Sequence, residues 1–243
     1  MKKEFGMNME NADLTKKART ALDDMWGEAI LAALLVQGVS FGFGCVQTAL
    51  GSGGDDVSIS ALVIACLVGL FGFFVQAPLD FGFARFCLSL SRGKPLSCGQ
   101  VLYGFSRWGT VLAATILIGV FCALWSVLLI VPGILAALSY SMTFYIMMDD
   151  ESISPMDAIR KSKKMMYGHR WRFVCFCFRY AGWLLLALLP YIAVYMVWGD
   201  SRPILSSAIM YAGLIPLSVY FGVGAAAFYE DLKTSQAPEV PTP

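Results

Sequence analysis

Long apolar runs alternate with short polar punctuation along the whole chain. Apolar segments at roughly 30–50, 58–79, 108–130, 133–148, 173–197 and 204–228 are separated by stretches that carry nearly all the charge. A hydrocarbon core of roughly 30 Å takes about 20 helical residues to cross. GSGGDD at 51–56 ends the first run and GDSRP at 199–203 the fifth, because clustered glycine, aspartate and proline break helices. The apolar stretch 109–148 is interrupted by Val131-Pro132-Gly133. Read as one helix it would be about 60 Å long, twice the core thickness. Pro-Gly is also a turn signal, so a tight hairpin is expected there. The pattern predicts an all-α polytopic membrane helix bundle of six transmembrane helices. Residues 1–26 are expected to form a cytoplasmic amphipathic leader, with Leu14, Ala18, Ala21, Leu22 and Met25 on one stripe. Residues 27–229 form the integral membrane domain, and 230–243 a Pro-rich, disordered cytoplasmic tail.

One polar stretch has a pattern of its own. SPMDAIRKSKKMMYGHRW at 154–171 starts with a helix-capping serine, a proline suited to the first turn, and Asp157 in the capping-box position. Gly168 is placed to end the helix. Ala158, Ile159, Ser162, Met165 and Met166 form a small or apolar stripe with Arg160, Lys161, Lys163 and Lys164 around it. The expectation is an amphipathic helix on the cytoplasmic surface between the fourth and fifth spans, its stripe facing acyl chains or the bundle. Arg160, Lys161, Lys163, Lys164, Arg170 and Arg172 are the candidate lipid-headgroup contacts. Each cation near an anionic leaflet contributes about 1 kcal/mol. Lysines and arginines fall before the first span, between the second and third, and between the fourth and fifth, whereas Arg202 stands in an outer loop. That bias puts both termini in the cytoplasm.

Composition supports the membrane reading. The chain has 243 residues, 58% hydrophobic and 14% charged, against about a quarter charged in a soluble domain. The net charge of +1 points to no acidic macromolecule, and the basic stretch lacks the aromatic interleaving of a nucleic-acid contact. Seven cysteines lie mostly in apolar surroundings, and no disulfide framework or zinc spacing emerges. His169 is the sole histidine and reads as an interfacial residue. No metal, cofactor or catalytic constellation is therefore expected. Asp80 and Arg179 are ionisable groups inside apolar runs and form a candidate intramembrane charge pair. Gly38, Gly42, Gly69, Gly72, Gly222 and Gly224 are candidate sites of close helix packing. Two functions stay open: a non-enzymatic protein binding anionic lipid, a membrane-protein partner or a second copy through its cytoplasmic loops, or a small-molecule or lipid transporter.

KKARTAL at 16–22, LSYSMTFYIMMDDESISPMDAIRKSKKMMYGHRWRF at 138–173, AGW at 181–183, PY at 190–191 and AAFYE at 226–230 together resemble the bacterial integral-membrane family known as domain of unknown function 975. Ser162, Gly168, His169, Trp171 and Phe173 carry the strongest part; Arg179 departs from the pattern, where a small polar or apolar residue is expected. The resemblance implies a multi-pass protein of the bacterial cytoplasmic membrane and assigns no catalytic residue.

Overall fold

The computed structural model of the chain describes residues 13, 16, 19, 20, 22, 23, 25–51, 59–94, 98–198 and 203–236. Most of the expected leader, the outer-loop residues 52–58 and 199–202 with Arg202, and the end of the tail lie outside them. The described residues form helices without strands: α1 Trp26–Gly51, α2 Ile59–Ser91, a 3-10 turn Cys98–Leu102, α3 Tyr103–Ser106, α4 Trp108–Leu128, α5 Ile130–Tyr140, α6 Thr143–Asp149, α7 Pro155–Met165, α8 Arg170–Trp198 and α9 Pro203–Gln236. Among the described residues six segments are long and apolar enough to cross a membrane, which is compatible with a multi-pass membrane protein. The architecture is an all-α bundle. α1 lies along α2 and α9, α8 along α9, and α4 against α5.

Burial is uneven along the helices. Phe81, Phe86, Phe176, Phe228, Met147 and Leu232 are fully buried, and they come from the C-terminal parts of α2 and α9, the start of α8, and α6. Phe228 packs between Phe173 and Phe176, at 5.1 and 5.9 Å between ring centres. Tyr145 stacks on Tyr229 at 5.3 Å. At the other end, Ile59, Leu62, Met196 and Val197 are exposed. Apolar side chains facing outward are what a hydrocarbon environment requires. The dense core therefore lies at the end that also carries the basic residues.

Several expected boundaries move. α2 runs to Ser91 rather than ending near Leu79, so 84–91 is helix and not loop. α9 runs to Gln236, so residues 230–236 are helical where a disordered tail was expected; Asp231 and Leu232 are buried in the bundle. The hairpin is present, with its break at Leu129, whose backbone is extended (φ −162°, ψ 141°). Pro132 falls in the first turn of α5, where a missing N–H costs nothing. Gly133 lies against Ser126 across the turn, and any Cβ there would collide with that side chain. The expected fourth segment is two helices, broken at Ser141-Met142.

Pro78 shows how the sequence joins two elements. A proline in a helix cannot donate to the carbonyl four residues back. The freed carbonyl belongs to Phe74, and the Trp108 indole N–H donates to it at 3.2 Å. Gly104 sits directly on the Pro78 carbonyl, where a side chain would not fit. α3 and the start of α4 are thereby fixed to α2.

Candidate headgroup-binding face

The basic helix forms as its sequence dictates. The Asp157 N–H donates to Ser154 Oγ at 3.2 Å, and Ser154 Oγ donates to Asp157 Oδ2 at 2.7 Å. Pro155 occupies the first turn, and Gly168 adopts φ +84°, which only glycine reaches freely. Ala158, Ile159, Ser162 and Met165 are buried, so the stripe faces the bundle. Ile159 packs with Ala136 and Tyr140 of α5.

Ser162 makes the decisive polar contact. The break after α5 strands its last carbonyls, which have no intrahelical partners. Three hydroxyls serve them: Ser141 Oγ donates to Leu138 O at 2.8 Å, Ser162 Oγ to Ser139 O at 2.7 Å, and Thr143 Oγ1 to Tyr140 O at 2.7 Å. The end of α5, the break and α7 are one hydrogen-bonded unit.

The six candidate headgroup contacts separate into two groups. Arg160, Lys161, Lys163 and Lys164 are exposed on the outer face of α7. Arg160 approaches Asp157 at 3.4 Å; the three lysines enter no ion pair among the described residues. Arg172 is different. Its Nη1 donates to Asp231 Oδ2 at 2.7 Å, and its guanidinium lies 5.2 Å from the Phe228 ring centre. The Asp231 side chain is only 3% exposed, so this pair ties α8 to α9 inside the bundle. Arg170 is half-buried and lies 6.0 Å from the Tyr167 ring centre. His169, expected at the interface, is buried. Burial and the Arg172 charge hold its imidazole below the usual range, with Asp231 opposing them.

Asp80 and Arg179 do not form an ion pair among the described residues. Asp80 accepts from Gln76 Nε2 at 2.9 Å, one turn back on α2. Arg179 is exposed on α8, a helix that does not pack alongside α2. Asp80 has a partner on its own helix and Arg179 faces outward, so nothing brings the two together.

A polar layer that sequence reasoning missed closes this end of the bundle. Arg92 donates from Nε to Glu230 at 2.9 Å and from Nη2 to Asp149 at 2.7 Å. Asp149 also accepts from Tyr229 at 2.8 Å and from Lys233. Burial works against the Arg92 charge, but the two carboxylates outweigh it and raise its pKa further. Nearby, Arg85 stacks 3.5 Å over the Tyr103 ring and lies 3.6 Å from Glu151, whose carboxylate also accepts from Tyr103 at 2.6 Å. Arg107 donates to the Met147 carbonyl at 2.9 Å and to that of Glu151. The Tyr103 hydroxyl is the chief reason the Glu151 carboxyl is held below its ordinary value. A cavity of about 640 Å³ opens beside this layer, lined by Arg85, Ser89, Arg92, Lys94, Gln100 and Tyr103. The available signal was the pairing of the DDE run at 149–151 with the basic 84–101 stretch, and of YED at 229–231 with both.

Of the predicted packing glycines, Gly72 approaches Phe43, Gly222 approaches Cys87, and Gly224 approaches Phe176 and Tyr180. Gly38 and Gly42 face open space. Among the described residues no cluster of three or more His, Cys, Asp or Glu has metal-holding geometry.

No curated protein matches the chain, and no solved structure does. Residues 126–236, from the last turn of α4 to the end of α9, match the family model described as Protein of unknown function (DUF975), the family that the sequence resembles.

Proposed function

We propose that this is a non-enzymatic multi-pass protein of a bacterial cytoplasmic membrane, with both termini cytoplasmic, that binds anionic lipid headgroups through α7. The observation that carries this reading is the exposure of Lys161, Lys163 and Lys164 on a helix whose opposite face is locked into the bundle. Buried Ile159 and Met165 fix the helix, and the lysines need only extend from it. Long, flexible ammonium side chains suit phosphate groups as point charges. The same face is also suited to an acidic membrane-protein partner or a second copy.

Native mass spectrometry of the purified protein tests the reading. The Lys161→Gln/Lys163→Gln/Lys164→Gln variant should retain anionic lipid about 100-fold less tightly, from about 1 kcal/mol per charge. Unchanged retention would reject α7 as the binding element.

The transporter reading has one observation in its favour. An apolar cavity of about 550 Å³ lies between α8 and α9, lined by Trp183, Leu186, Pro190, Gly213, Pro216 and Tyr220. Its lining suits an acyl chain better than a polar solute. A fluorescent-lipid flip assay in vesicles separates the two functions, since headgroup binding alone moves no lipid between leaflets.

A further inference from the structure

Hairpin α4–α5 contributes to two of the six apolar candidates for crossing among the described residues: α4 itself, and Val131–Asp149, which runs through α5 and α6. Its neighbours say where its tip lies. The turn at Leu129 is flanked by Trp125 and Pro132, each within about one helical turn of it. Trp125, Pro132 and Tyr140 line a cavity of about 170 Å³ together with Lys163 and Arg170. Lys163 is an exposed cation of α7. Two residues on, the Met165 carbonyl accepts from Gln236 Nε2 at 3.1 Å, at the C-terminal end of α9. α9 has 34 residues, about 51 Å of helix, so its ends lie on opposite sides of a bilayer when it crosses. The hairpin tip is thus at the Gln236 end of α9, not at the Pro203 end.

The packing agrees. α5 has 11 residues, about 16 Å of helix, and the break at Ser141-Met142 separates it from the α6 stretch that it needs to reach crossing length. α4 packs on α2, α3, α5 and α7 but not along α1, α8 or α9. Leu117, Ile118, Phe121 and Cys122 of α4 meet the Ala136, Tyr140 and Ile159 cluster, which brings the basic helix onto the middle of the hairpin. A hairpin with its tip on the far side would draw Lys163 and Arg170 into hydrocarbon, where charges are strongly disfavoured.

We propose that α4–α5 is a re-entrant wedge in the cytoplasmic leaflet, entering and leaving by the face that carries α7. Acyl chains of that leaflet cover its exposed Ile116, Val120 and Leu124, while the turn with Val127, Leu129 and Val131 returns to headgroup level. Lys163 and Arg170 stand at headgroup level across the small cavity from Trp125 and Pro132, and α1, α2, α8 and α9 are the crossing helices. The termini share a face either way, and the turn itself holds no charge, so the lysine and arginine distribution is the same in both arrangements. The wedge stands independently of what α7 binds.

The test uses single cysteines in the whole chain with its seven native cysteines replaced. Leu129→Cys is exposed to a membrane-impermeant maleimide in right-side-out and inverted vesicles, with Lys94→Cys and Asp56→Cys marking the two faces. The wedge predicts labelling of Leu129→Cys from the Lys94→Cys face. Labelling from the Asp56→Cys face, or protection from both faces, overturns it. A Trp125→Cys/Lys163→Cys pair should be joined by a short bis-thiol reagent; failure to join also overturns the wedge, because it removes the contact that locates the tip.

Discussion

Arg172 is a basic residue whose role is set by its partner rather than by its place in a basic run. Its carboxylate, Asp231, is almost wholly buried. Removing one member of such a pair leaves an uncompensated charge, at a cost of about 3–5 kcal/mol. Arg172→Gln should therefore lower the thermal midpoint in detergent sharply. Adding Asp231→Asn to it should restore part of the loss, and a strictly additive double variant would contradict the pairing. His169, beside this pair, gives the same region a pH dependence. Its folded pKa is lowered, chiefly by burial, so its contribution is intact above the unfolded value of about 6.5. It is lost as pH falls below that value, because the unfolded chain takes up the proton more readily. Thermal melts from pH 7.5 down to pH 5.5, taken as about the relevant window, should fall less steeply for His169→Gln than for the unaltered protein.

Among the elements, the break between α5 and α6 is held by hydroxyls on both sides of it and by one from α7. Ser162→Ala should leave the Ser139 carbonyl buried without its donor, at about 1–3 kcal/mol. Hydrogen exchange should then rise in 138–143 and 155–165 together; a change confined to α7 would deny that they form a unit. Gly82→Ala should be at least as damaging, because a Cβ there meets the Val101 backbone, which has no side chain to rotate away. The hairpin was legible because Pro-Gly interrupts an apolar run too long for one helix. The break at 141–142 was not, since LSYSMTFYIMMD reads as continuous apolar helix and the hydroxyl that stabilises it lies 23 residues from its acceptor. The start of α7 is legible because Ser154, Pro155 and Asp157 act locally; its end falls at Met165 with Met166 as the cap, and Gly168 instead turns the chain towards α8. The Asp80–Arg179 pairing was inferred from the cost of buried charge alone, and the nearest satisfying group for Asp80 was one turn away.

Across the whole molecule, charge and burial coincide at one end. Arg92, Asp149, Glu230 and Lys233 bind the ends of α2, α6 and α9 into a layer close to neutral, while the lysines of α7 stay outside it. That division could not be read from the chain, where both sets appear as basic residues between apolar segments. It depends on α9 continuing past the membrane far enough to bring Glu230, Asp231 and Lys233 under the bundle. The central claim is that this layer and α7 lie on one face of a membrane-spanning bundle. Side-specific labelling of Lys94→Cys and Lys164→Cys against Asp56→Cys and Asp200→Cys in sealed vesicles tests it most directly. The account predicts the first two labelled together from the cytoplasmic side and the last two from the other; Lys94→Cys and Lys164→Cys labelled from opposite faces would contradict it.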